Sequence, residues 1–133
     1  MAAQNLASLV GRVLLVLIFL GSGLDKVAHQ EATLGYMSSV HLPAAQLLLW
    51  LSVLVEIGAG LAIVLGWKAR WAAALLFLWM IPVTAVFHNP WAGDPSQAPM
   101  QMIHLMKNIS IMGGLLLALA FGPGRWSVDG RRA

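Results

Sequence analysis

Apolar residues in this chain are not interleaved with polar ones; they gather into four blocks divided by short polar stretches. The blocks run from Leu6 to Leu24, Ala44 to Leu65, Trp71 to Phe87 and Met102 to Phe121. Each is close to the roughly 17–25 residues that a helix needs to cross hydrocarbon, and buried helices of soluble domains are rarely this long. In lipid the backbone must satisfy its own hydrogen bonds, and a helix does so within one segment. The pattern therefore predicts an all-α fold, an integral membrane four-helix bundle, as a single domain over residues 1–133.

The connections refine this picture. Asp25 to Pro43 is a mixed stretch holding His29, Glu31, Tyr36, Met37 and His41, and is expected to form a short amphipathic helix along the surface. Gly66 to Arg70 is so short that the second and third spans must be antiparallel neighbours. Asn89 to Gln101 carries Pro90, Gly93, Asp94, Pro95 and Pro99, a composition that resists regular structure. Pro82 lies inside the third span, where it removes a backbone donor and is expected to kink the helix.

Composition agrees with a membrane location. Of 133 residues, 59% are hydrophobic and 10% charged, with a mean hydropathy of +0.80, too little polar surface to cover a soluble domain. The formal charge of +3 comes from basic residues scattered over loops and spans, with no concentrated patch for nucleic acid. The first run is preceded by no basic residue and exceeds a signal-peptide core in length, so it is expected to stay in the mature protein. Lys68 and Arg70 in the second loop and Arg125, Arg131 and Arg132 in the tail stand against Lys26 alone on the opposite side. This bias predicts cytoplasmic N and C termini in a bacterial-type inner membrane. Trp67, Trp71 and Trp126 are then expected at the inner interface and Trp91 at the outer one.

Charges inside the apolar runs cost roughly 2.5–3.5 kcal/mol each at a helix centre, so each requires a partner or a function. Arg12, Glu56 and Lys107 are such residues. Counting about 1.5 Å per residue puts Arg12 and Glu56 at nearly the same depth, which predicts an ion pair between the first two spans, either a packing pin or a site for a quinone head group or a proton. Ser8, Arg12, Phe19, Gly23 and Lys26 share one face of the first span, and Ser52, Glu56 and Gly60 one face of the second. Both faces are expected to look into the bundle. In the fourth span His104, Lys107, Ser110 and Gly114 form a comparable stripe flanked by Asn108. Lys26, His88, His104, Lys107 and Asn108 are thereby expected to gather near the outer side, where they would suit an anionic or carbonyl-bearing ligand, or to serve only as interfacial anchors. Arg12 and Glu56 complete the candidate ligand-binding set.

No metal site is expected, because His29, His41, His88 and His104 lack close ligand spacing. The chain has no cysteine, hence no dithiol chemistry of its own. No nucleophile with an adjacent base, nucleotide loop or haem motif is found, which disfavours an enzyme acting alone.

At several places the residues resemble the DoxX family of small four-span bacterial membrane proteins. The matching elements are Arg12 with Gly21 to Lys26 closing the first span, Glu56 to Gly60 followed by Gly66, Lys107-Asn108 with Gly113-Gly114, and the tail Gly122-Pro123-Gly124-Arg125-Trp126-Ser127-Val128-Asp129. The resemblance implies a membrane bundle associated with quinone-linked oxidoreductases, sulfur oxidation or oxidative-stress complexes, usually as an accessory subunit. It leaves the reaction open, and the paired cysteines of some broader relatives are absent here. The readings carried forward are an accessory subunit or quinone-type ligand binder, with membrane lipid and an oxidoreductase as partners; a structural or assembly protein; and, weakest for lack of an inverted repeat, a proton or solute transporter. The glycine-rich faces also offer surfaces for homo-oligomers.

Overall fold

The structure is a computed structural model that describes residues 1–131; Arg132, counted above in the basic tail, lies outside the described residues. Five α-helices are present and no strand among those residues: α1 (Ala2–Ala28), α2 (Gln30–Ser39), α3 (Ala45–Leu65), α4 (Ala69–Phe87) and α5 (Ala98–Phe121). All but α2 are long and apolar enough to cross a membrane.

α1 continues past Leu24 to Ala28, so Lys26 belongs to the helix and not to the following loop. Its 27 residues extend about 40 Å, more than the hydrocarbon thickness. α2 occupies the middle of the stretch from Asp25 to Pro43, yet it does more than lie on a surface, for Met37 is buried and the helix packs against α1 and α3. α4 runs unbroken through Pro82. α5 starts at Ala98, earlier than the composition of its loop implies, because Pro99 occupies the first turn, where a proline has no intrahelical donor to lose. Asp94 begins this entry by accepting from the Ser96 amide at 2.9 Å.

Packing follows chain order: α1 on α3, α3 on α4, α4 on α5. α5 returns to α1, where a Cβ on Gly114 would come within 2.9 Å of Leu15. Val16, Phe19, Val55, Ala59, Ile63, Ala73, Leu76 and Leu115 form the buried core. Glycine permits the closest α1–α3 approach: a Cβ on Gly23 would lie 2.6 Å from Ile57 and one on Gly60 2.9 Å from Leu20. These contacts fix an antiparallel register in which Gly23 is level with Glu56 and Ile57.

One end of the bundle carries the start of α1, the tail from Gly122 to Arg131 and the α3–α4 turn, and there the tail acts as a clasp. The Val128 and Asp129 amides donate to the Leu65 and Gly66 carbonyls at 3.1 and 2.8 Å. The Asp129 carboxylate accepts from the Lys68 and Ala69 amides at 2.9 and 3.0 Å, capping the start of α4 from across the sequence. Ser8 on α1 donates to the Pro123 carbonyl at 2.8 Å. The opposite end, holding α2 and the α4–α5 connection, is called the loop end below.

Candidate functional site

Arg12 and Glu56 do not meet. Arg12 is buried at the terminal end, where it donates to the Ile63 and Val64 carbonyls at 3.1 and 2.7 Å and to the Trp126 carbonyl. Ile63 and Val64 are in the last turn of α3, where carbonyls lack a full set of helical partners; the Ile63 carbonyl also accepts from the Gly66 amide at 3.1 Å. The planar guanidinium fork gives both a charged donor and ties the tail to the same point. The pairing inferred from depth fails because the start of α1 overhangs the last turn of α3 in this register, so counting from Leu6 sets Arg12 too deep. With Gly23 level with Glu56, Arg12 falls about three helical turns away from it.

Glu56 instead faces Lys26. The Lys26 ammonium lies 2.6 and 2.8 Å from the two carboxylate oxygens, and also donates to the Ser22 hydroxyl at 3.1 Å. The Glu56 side chain is 7% exposed and that of Lys26 21%. This pair lies on the wall of a partly open cavity of about 400 Å³ at the loop end. α2 contributes Thr33, Tyr36 and Met37, α3 contributes Leu48 and Ser52, and α4 contributes Trp79, Pro82, Val83, Val86 and Phe87, with His88 just beyond. Tyr36 and Phe87 pack with ring centroids 5.4 Å apart, linking α2 to α4. The cavity is thus an apolar chamber with one ion pair and a few hydroxyls.

The expected outer cluster divides. His88 and His104 come together with ring centroids 5.0 Å apart, and the Lys107 ammonium approaches His104 Nδ1 at 3.4 Å. Lys26 is engaged with Glu56 instead. Asn108 is buried and donates its amide to the Thr84 hydroxyl at 3.0 Å, joining α5 to α4. The stripe on the fourth span is also turned from its expected position: Asn108 and Leu115 face the bundle, while Lys107 and Ser110 are exposed. His88 belongs to both groups, lining the cavity and touching His104. Burial holds its imidazole below the ordinary histidine pKa; the bond from Nδ1 to Gln101 opposes this, and the charges of His104 and Lys107 reinforce it.

Sequence reasoning passed over Tyr36, Trp79, Thr84 and the capping role of Asp129. Tyr36, Trp79 and Thr84 read as ordinary mixed-loop or span residues and carried no local signal. Asp129 did carry one, a carboxylate in a tail otherwise basic, but its partners are 60 and 61 residues away. No three metal-ligating side chains converge among the described residues.

The fold and cavity define a small all-helical membrane protein with four spans and a chamber at the loop end. The chain belongs to the DoxX family, whose model matches residues 7–89. It is 33% identical over 130 residues to inner membrane protein YphA of Escherichia coli, covering 98% of this chain and 93% of that protein. It is 31% identical over 126 residues to inner membrane protein YqjF of the same organism, covering 95% and 92%. Similarity extends to a Surfeit locus protein 4 homolog of Drosophila melanogaster, 27% over 131 residues, which covers 95% of this chain and 41% of that longer protein. No solved structure matches.

Proposed function

We propose that this chain binds a small ligand of the quinone type in the loop-end cavity, as an accessory subunit of a membrane redox system whose catalytic partner is an oxidoreductase. The observation that carries this reading is the placement of the Lys26–Glu56 pair on the wall of an otherwise apolar cavity of about 400 Å³, within the size range of small-molecule sites. The two charges cancel, so the chamber favours a neutral ligand with polar oxygens. Lys26 can donate to a carbonyl oxygen, and Glu56 can accept from a hydroxyl. Tyr36, Val83, Val86 and Phe87 supply an apolar and aromatic surface for a ring and its substituents.

The setting in this reading is a bacterial-type inner membrane with both termini cytoplasmic. It is supported by Lys68, Arg70 and Arg125 gathered at the terminal end and by the names of the two Escherichia coli relatives. Gly58 and Gly113 lie exposed with open space before them, which suits helix contacts with a partner or a second copy.

A structural reading has its own support. Lys26, Ser22 and Glu56 satisfy one another, as expected of a pin between α1 and α3. Mass spectrometry of small molecules co-purifying in mild detergent separates the two. A quinone enriched with wild type and lost from folded Glu56→Gln supports the ligand reading; no specific molecule, with Glu56→Gln merely less stable, supports the pin.

A further inference from the structure

At the rim of the cavity, which His88 also lines, three nitrogen-bearing side chains meet at the loop end without a counter-charge. His88 ends α4, and His104 and Lys107 occupy successive turns of α5. Among the described residues no carboxylate pairs with any of them: Glu56 is held by Lys26 and Asp25 by His29, while Asp94 caps the turn at Ser96. The hydrogen-bond directions leave donors free. Lys107 gives one proton to His104 Nδ1, so neutral His104 carries its proton on Nε2, and the ammonium keeps two further protons. Gln101 Oε1 only accepts, so His88 donates from Nδ1. The cluster therefore presents donors and positive charge where a membrane protein ordinarily pairs or avoids them.

Its surroundings identify the anion. The Lys107 ammonium reaches back one turn toward His104 and the loop end, as a lysine does when it snorkels toward headgroups. On the same helix Ile103 and Met106 are 61% and 57% exposed, giving acyl chains an apolar surface beside the cation. Trp91 in the adjoining loop is 80% exposed, as suits an indole at headgroup level. We infer that His88, His104 and Lys107 form a binding site for the phosphate of an anionic phospholipid at the loop end, with its acyl chains along the exposed face of α5. The site shares His88 with the cavity wall but faces α5, and it does not depend on a ligand in the cavity.

The full chain in mild detergent, titrated with phosphatidylglycerol or phosphatidylcholine and followed by native mass spectrometry, tests the inference. Wild type is expected to prefer phosphatidylglycerol about fivefold or more per uncompensated charge. Lys107→Gln combined with His104→Gln is expected to abolish the preference, and Lys107→Arg to keep it. Equal binding of the two lipids by wild type overturns the site, as does an unchanged preference in the folded double variant. Displacement of the lipid by equimolar inorganic phosphate assigns the pocket to a free anion and overturns the lipid. Should the double variant not fold, the imidazole NMR signals of wild-type His88 and His104 decide: they are expected to move with phosphatidylglycerol and not with phosphatidylcholine, and immobility under both contradicts the site.

Discussion

The Lys26 ammonium lies 2.6 and 2.8 Å from the two oxygens of Glu56, across 30 positions of sequence, and so joins α1 to α3 on the wall of the cavity. Arg12, on the same face of α1, does a different job at the other end of the bundle. The charges on α1 and α3 thus separate into one that anchors the fold and two that shape the chamber. This separation makes their effects distinguishable by mutation.

Arg12→Lys is expected to destabilise the protein almost as much as Arg12→Ala, by about 2–4 kcal/mol, since an ammonium cannot reproduce the planar fork that meets three carbonyls. Denaturant or thermal unfolding in detergent measures it. Ligand affinity in the folded fraction is expected to stay at the wild-type value; retention of full stability by Arg12→Ala would contradict the clasp.

Gly66 tests the same clasp through the backbone. Its φ is +67°, and a Cβ would collide with that of Ser127. Gly66→Ala is expected to detach the tail and cost several kcal/mol, roughly the upper range for single substitutions. Gly58→Ala meets open space and is expected to change stability by less than about 0.5 kcal/mol. Limited proteolysis of the tail reads the difference, and equal protection of the two variants is the contrary result.

The Lys26–Glu56 pair is expected to behave asymmetrically. Lys26→Met strands a carboxylate that is 7% exposed, a loss of about 3–5 kcal/mol for a buried pair. Glu56→Leu with Lys26→Met removes both charges and is expected to recover most of that stability without recovering ligand binding. A double-mutant cycle in unfolding free energy shows this; a double variant less stable than Lys26→Met excludes it.

His88 links stability to pH. Its folded pKa lies below the ordinary 6.5, so the unfolded chain binds the proton more readily. Its contribution is complete above the ordinary value and is lost as pH falls through the folded one. Wild type is expected to lose stability on acidification from pH 7 to 5 more steeply than His88→Gln, with unfolding curves across that interval as the check. Parallel slopes would show that His88 is not desolvated.

Much of the architecture is written in run lengths: spans in lipid need a certain length, and that requirement is local. The inward faces of α1 and α3 were legible for the same reason, since Arg12, Phe19, Gly23, Ser52, Glu56 and Gly60 recur at helical spacing and all are buried. Register was not legible. It is set by the contacts of Gly23 with Ile57 and Gly60 with Leu20, and depth counted from the first apolar residue misses the overhang of α1. The rotation of α5 was misread because Lys107 attracts attention as a charge, whereas Asn108 forms the interhelical bond. Asp129 and Trp126 act through partners far away in sequence, which no local pattern encodes.

The most direct test of the chamber is equilibrium binding of a short-chain quinone to the purified chain, compared with Val83→Trp, which fills the cavity, and with Glu56→Gln. Saturable binding by wild type that is lost in both variants while each unfolds cooperatively is the predicted result. Undiminished binding by folded Val83→Trp, or no saturable binding by wild type, would contradict a quinone-type ligand in this cavity.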